Sequence, residues 1–324
     1  MKLLGIAVFA FVGSFCWSAP RPIIVDHDGG VDDVAVTAMM VLDPSFDVKA
    51  ITICPADSYK TPAVSETIGL LKFLKKDAIE VSAGDGDGVR PFPAKWREDS
   101  YRVAKIPQIF LKDVPAVPKA KDRLVDLLSK GTRYELLVTG PLTNIADAMK
   151  ADPSIKKNIK RIYLMGGAYA VKGNVKQPGH DGSAEWNMYN DAPSAALVFA
   201  SGVPITMVGL DATNKTPVTK RFMKELKAQS SYPVSALFYE VWKTISEQIE
   251  HKEYLHTYYF WDTLAAASMI DSKIVKTVSK KLAVSTSGPN EGQTYETPNG
   301  QPIDVAIDAD PEALHHLLLD SMKH

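Results

Sequence analysis

The stretch Arg21–Pro44, RPIIVDHDGGVDDVAVTAMMVLDP, decides how the rest of the chain is read. Ile23–Val25 is a short apolar run of the kind that forms a strand buried on both faces. The run stops in acids at Asp26 and Asp28 and turns through Gly29 and Gly30. It then enters an apolar segment with carboxylates in its first turn and a stop at Pro44, the signature of a helix. A buried strand leading through a glycine turn into a helix opens a parallel α/β unit. Asp26, Asp28, Asp32 and Asp33 fall within eight residues, and they repel one another unless a cation or a hydrogen-bond network compensates.

Outward from this unit the alternation continues. Strands are expected at Asp47–Cys54, Ala78–Ser82, Tyr134–Thr139, Arg161–Met165, Pro204–Leu210 and near Val275–Thr286. Helices are expected near Pro62–Lys75, Lys119–Lys130, Leu142–Ala151, Ala192–Ser201, within Thr219–His251, at Thr263–Ile270 and at Pro311–Met322. Gly84–Pro118, rich in Gly, Pro and charge, reads as a long loop with room for one helix, a length typical of functional lids. The pattern predicts an α/β protein: a single open, mostly parallel sheet with helices on both faces and a Rossmann-like core. Ligands then sit at the carboxyl ends of the strands. No repeat or linker divides the chain, so residues 19–324 are expected to form one domain.

Composition narrows the function. Among 324 residues, Lys and Arg number 37 and Asp and Glu 38; such a balance creates no basic field for nucleic acid or an anionic membrane. The two cysteines build no disulfide framework, and Cys54 reads as a small buried hydrophobe. Residues 1–18 carry Lys2, the apolar run Leu3–Phe11 and a small residue at Ser18, with Ala19 after it, the outline of a secretory signal peptide. The expectation is a secreted or periplasmic protein with no membrane contact after signal removal.

Two further acids, Asp57 and Asp262, stand at strand or helix ends. Oxygen donors without a Cys/His cluster suit a hard cation, Ca²⁺ before Mg²⁺. For Asp32 alone, helix capping is the plainer reading. An EF-hand fails because Gly30 and Val31 stand where a ligand and the obligatory glycine belong, and an aspartate-nucleophile phosphatase start is spoiled by Gly30. Asn174, Glu185 and Asn187 offer donors and acceptors for a polyhydroxyl ligand; the blander alternative is a loop whose polar groups cap backbone. Phe92 and Trp96 in the long loop, and Tyr258–Trp261 before Asp262, suit a stacking platform. A flat ring beside a polyol describes a nucleoside.

With these residues assembled, the chain resembles the Ca²⁺-dependent nucleoside hydrolases of the inosine-uridine type. The likeness runs through DHDGGVDD, VTGPLTNIA (Val138–Ala146), MGGA (Met165–Ala168), the segment around AEWNMYNDAPSA and LDATN (Leu210–Asn214), in the family's order. Asp57, Trp96 and Trp261 look most like the purine-specific, inosine-adenosine-guanosine branch. The resemblance implies that Asp28, Asp33, Asp262 and the Thr139 carbonyl hold Ca²⁺ and that Asp28 deprotonates the attacking water. It implies that Asp32, Asn187 and Asp262 bind the ribose 2′- and 3′-hydroxyls, and that Met165, Asn174 and Glu185 hold the 5′ end. Trp96 and Trp261 would sandwich the purine with Asp57 at its edge. Trp261 stands where other branches carry a histidine proposed to protonate the leaving base. Members are commonly dimers or tetramers, a dimer being favoured here. Two other classes compete: an Mg²⁺-dependent phosphohydrolase, and an extracytoplasmic nucleoside- or sugar-binding protein without turnover. His27, His180 and His256 lie within reach of the site by sequence position, though a lone histidine is more often structural. Asn214-Lys215-Thr216 is a glycosylation sequon.

Overall fold

The computed structural model describes residues 19–248 and 258–324. The expected signal peptide and His256 lie outside them. One nine-stranded sheet organises the chain: β1 (Arg21–His27), β2 (Phe46–Ile53), β3 (Glu80–Ala83), β4 (Tyr134–Val138), β5 (Ile159–Met165), β6 (Ile205–Val208), β7 (Val275–Val284), β8 (Thr294–Glu296) and β9 (Gln301–Ala309), in the order β3-β2-β1-β4-β5-β6-β9-β7-β8. All neighbours through β6–β9 are parallel, and only β7 pairs antiparallel, with β8 and β9. The expected architecture holds.

Ile23, Ile24 and Val25 have no exposed surface, which fits a central strand covered on both faces. Helices Asp33–Leu42, Lys60–Phe73, Pro233–Gln248, Trp261–Ile270 and Pro311–Ser321 supply the core on one face. Helices Ala120–Ser129, Thr143–Ala151 and Ala192–Phe199 supply the other. Each parallel crossover starts the next strand from the same end of the sheet, so the strand ends line up. Asp26 of β1 lies beside Val138 of β4, and His27 beside Ile53 of β2. The loops after β1, β2 and β4 therefore emerge level with one another, and the acids ride on them. No helix among the described residues is long and apolar enough to cross a membrane.

Three stretches depart from the sequence expectation. β8 and β9 lie beyond the last expected strand region; in β9 Ile303 and Val305 are buried while Asp304 and Asp308 interrupt them, and a half-polar strand has no continuous apolar run to announce it. Thr219–His251 is two helices, Lys220–Ala228 and Pro233–Gln248. Gly84–Pro118 holds two short helices, Ala94–Arg97 and Asp99–Val103.

Candidate active site

Beneath the site the strand residues are locked. Asp26 accepts the Thr52 hydroxyl at 2.6 Å and the Asn144 amide at 2.8 Å; burial nonetheless pushes its carboxyl up to about 7. His27 accepts the Gly29 N–H at its Nδ1, and its Nε2 faces the Thr67 hydroxyl at 3.2 Å. That hydroxyl already donates to the Ala63 carbonyl, so His27 Nε2 is the donor and the ring is neutral. Burial holds its pKa down near 3, and the 3.7 Å approach of Nδ1 to Asp33 is therefore a contact and no ion pair. Gly29, at φ 77°, makes the turn possible: a Cβ there would stand 2.5 Å from the Ala63 Cβ.

Above this floor two acid pairs face each other. Asp28 and Asp33 are buried with their carboxyls in hydrogen-bonding contact. The Thr139 hydroxyl at the end of β4 donates to Asp33 Oδ1 at 2.6 Å, and the Gly30 N–H donates to Asp33 Oδ2 at 2.9 Å. The second pair joins residues 230 positions apart in the chain. The Asp262 backbone N–H donates to Asp32 Oδ2 at 3.1 Å, and the two carboxyls are in hydrogen-bonding contact. The capping expectation for Asp32 alone is thus corrected: no backbone N–H of its own helix reaches its side chain, because the start of helix Trp261–Ile270 claims it. The Tyr258 hydroxyl is a further donor to Asp32. Asp57, partly exposed in the loop after β2, donates its N–H to Asp28 Oδ2 at 3.4 Å.

Desolvation raises all five of these carboxyls. Repulsion from neighbouring acids adds to it at Asp28, Asp33, Asp57 and Asp262, whereas hydrogen bonds from Asp262 and Tyr258 offset it at Asp32. The charges that perturb Asp28 and Asp262 are all carboxylates. No three His, Cys, Asp or Glu side chains among the described residues form an open cage. The donor set still fits a hard cation: crowded carboxylate oxygens with a β4 carbonyl end beside them, and charge that only a proton or a metal ion neutralises.

Glu185, Asn174 and Asn187 flank this floor. Glu185 accepts the N–H groups of Gly167, Asn187 and Met188, and so caps helix Trp186–Asn190. Asn174 accepts the Trp186 N–H at 3.1 Å. Asn187 donates to the Met165 carbonyl at 3.2 Å. The backbone-capping alternative therefore describes part of what these residues do: they tie the end of β5 to the loop around Trp186. The tryptophans near the site fall in two groups, while Trp242 is buried in the core against Phe222 and Phe260. Trp96, 46% exposed, packs edge-on to Trp186 at 5.5 Å and to Phe92 at 6.4 Å. Trp261 packs against Tyr258 at 4.8 Å and Tyr259 at 5.7 Å. No ring contact joins Trp96 to Trp261 among the described residues.

His180 bonds the Glu291 carbonyl and the Gly182 N–H, so it and His27 are structural. Cys54 is buried. The sequence reading missed Tyr258 as a partner of Asp32, and it missed two buried groups behind the acids. Glu66, on helix Lys60–Phe73, has an oxygen without a partner. Arg97 is buried beside the Asp57 loop. Nothing in an isolated helix pattern marks either, because their burial comes from neighbours distant in sequence.

Comparison with known proteins adds a second line of observation. The sequence profile of the family described as inosine-uridine preferring nucleoside hydrolase matches residues 23–316. A pyrimidine-specific ribonucleoside hydrolase, RihA, of Salmonella arizonae is 28% identical over 93% of this chain and 98% of its own. The crystal structure of an inosine-uridine preferring nucleoside hydrolase from Bacillus anthracis superposes with a TM-score of 0.86 at 30% identity, covering 94% of this chain and 99% of that one. The purine-preferring ribonucleoside hydrolase from Gardnerella vaginalis shares the fold, with a TM-score of 0.74 at 24% identity over 94% of this chain and 98% of its own.

Proposed function

Because the chain belongs to the inosine-uridine preferring nucleoside hydrolase family, enzymes that hydrolyse the N-glycosidic bond of ribonucleosides, we propose that it releases the base from purine ribonucleosides with Ca²⁺ as its ion. The family assignment sets aside the phosphohydrolase alternative. The observation that carries the reading is the pairing of Asp28 with Asp33 and of Asp32 with Asp262 under an aromatic rim.

Asp28, Asp33, Asp262 and the Thr139 carbonyl would hold the cation, which when bound lowers the pKa of water and draws the ribose diol into register. Asp32, Asn187 and Asp262 bind the 2′- and 3′-hydroxyls; contacts of this kind that strengthen as C1′ gains cationic character raise the rate as well as affinity. Met165, Asn174 and Glu185 hold the 5′-hydroxyl end. Asp28 takes a proton from the attacking water as its oxygen bonds to C1′, and the C1′–N bond breaks with its electron pair going to the base. Trp96 and Trp261 stack on the purine from two sides, and Asp57 meets its edge. The departing base collects a proton from solvent, since Trp261 offers no acid at the place where related branches carry histidine.

The pyrimidine-specific relatives favour a second reading, in which uracil or cytosine is the leaving base. Ribose release from inosine and from uridine, before and after chelation and return of Ca²⁺, decides between them. Inosine ahead of uridine, with activity lost on chelation and restored by Ca²⁺, is expected. Uridine ahead of inosine overturns the purine preference and leaves the family reaction standing. Release from neither returns the chain to nucleoside binding without turnover. Secretion after loss of residues 1–18 and assembly as a homodimer belong to the same proposal, and are read by cell fractionation and light scattering.

A further inference from the structure

Among the described residues Arg97 is the one Lys or Arg whose side chain is buried, at 4% exposure. It sits next in sequence to Trp96 on helix Ala94–Arg97, yet its side chain leaves that helix altogether. Its Nη2 donates to Asp87 Oδ1 at 2.6 Å and to the Ser58 carbonyl at 3.4 Å. The guanidinium lies over the Tyr59 ring, 4.0 Å from its centroid, and Tyr59 in turn packs on Tyr101 of helix Asp99–Val103 at 5.5 Å. Ser58 and Tyr59 directly follow Asp57. At the other end, the Asp87 carbonyl accepts the Asn190 amide at 2.9 Å, on the helix whose Trp186 touches Trp96.

One planar cation thus fastens three separate pieces: the segment bearing Trp96, the loop after β2 that carries Asp57, and residue 87 at the root of the long loop. Nothing else described ties the Trp96 turn to the acid floor by a charged contact. We propose that Arg97 is a positioning residue that sets the height of the Trp96 face above the acid floor, and so governs affinity for the nucleobase rather than for the ribose. The inference rests on the proposed nucleoside reading and deepens it by dividing the site into a base half that depends on Arg97 and a sugar half that does not. Arginine suits the task because one of its nitrogens donates to both acceptors while its flat face lies on the Tyr59 ring, a stacking that lysine does not reproduce.

The test compares Arg97→Met, Arg97→Lys and Asp87→Asn with the parent in steady-state kinetics, with free ribose as competing inhibitor. Arg97→Met is expected to raise KM for inosine by about tenfold, the scale of one lost charge-assisted contact, while kcat and the ribose inhibition constant stay put. Arg97→Lys recovers part of the loss. Asp87→Asn, at a half-exposed carboxylate, moves KM the same way by less and serves if the methionine variant does not fold. An unchanged inosine KM in Arg97→Met overturns the proposal, as does a ribose constant that rises in step with KM, for then Arg97 supports the site as a whole. A parent protein that releases no ribose from any nucleoside refutes the functional reading by itself. The clamp is then judged by chymotrypsin cleavage within residues 84–118, faster in Arg97→Met if the clamp exists and equal to the parent if it does not.

Discussion

Asp32 and Asp262 stand 230 residues apart in the chain and are joined twice, by the Asp262 N–H to Asp32 Oδ2 at 3.1 Å and by the contact between their two carboxyls. The first contact is structural and asks only for an oxygen. The second is electrostatic and asks for charge. Asp32→Asn separates the two, because an amide oxygen still accepts the N–H. The variant is expected to melt within about 1 kcal/mol of the parent and to lose kcat/KM for its nucleoside by a factor on the order of 10²–10³, the scale of a transition-state contact removed. Thermal melts and initial rates check both halves; a large loss of stability would mean that the join is chiefly architectural.

Cation removal should be visible without any substrate. The buried acids repel one another in the ionised state, so a bound Ca²⁺ stabilises the folded chain alone. At a concentration about 100 times its dissociation constant the ion contributes about 2.7 kcal/mol, a rise in Tm of about 5 °C for a chain of this size. Calorimetry of chelated and Ca²⁺-restored protein reads it, and an unchanged Tm would count against a metal in this cluster.

Asp26 gives a pH dependence of its own. It titrates at 3.8 in an ordinary setting and at about 7 when folded, because burial outweighs the hydrogen bonds from Thr52 and Asn144. The folded chain then holds the proton more tightly than the unfolded one, so this group's contribution is whole below about pH 4 and is lost as pH climbs towards 7. Asp26→Asn removes the loss while keeping an acceptor for both partners. The variant should outlast the parent in melts near pH 8 and match it near pH 4. The reverse order would show that the ionised form is the stabilised one.

Gly140 follows Thr139 and passes under Asp28; a Cβ on it would lie 2.7 Å from the Asp28 Cβ and 3.1 Å from the Asp28 nitrogen. Neither neighbour is a flexible side-chain end. Gly140→Ala is expected to destabilise the fold by about 1–3 kcal/mol, the range for overpacking, and to abolish turnover by displacing Asp28. A variant that is both stable and active would show that the β1 and β4 loops yield more than their packing suggests.

Much of this was legible in Arg21–Pro44. The buried strand, the glycine turn and the acidic helix start are each local, and each formed as read. Asp28, Asp33 and Thr139 meet because parallel strands bring loop ends level, a consequence of topology that alternation alone implies. What could not be read depends on partners far along the chain. Asp32 looks like a cap until the N–H of Asp262 is seen to take its carboxylate. For Glu185 backbone capping was among the readings the sequence offered, but not which N–H groups it takes, those of Gly167, Asn187 and Met188. Arg97 sits in a charged, proline-rich stretch where exposure is the natural guess, and only the Tyr59 ring and the Asp87 carboxylate account for its burial. β9 was hidden by its own aspartates, although Ile303, Val305 and Ile307 carry the period of a strand.

The place of β9 has a bearing on how the protein is made. It fills the slot beside β6, and β7, which precedes it in the chain, pairs with β9 and has no partner in β6. During synthesis β6 must therefore wait, with its hydrogen-bonding edge bare, until residues 301–309 have emerged. A chain halted before residue 301 would carry every acid and aromatic of the pocket, yet present an open strand edge ready to join another copy. The vulnerability of such a product lies in self-association, at a point remote from the chemistry.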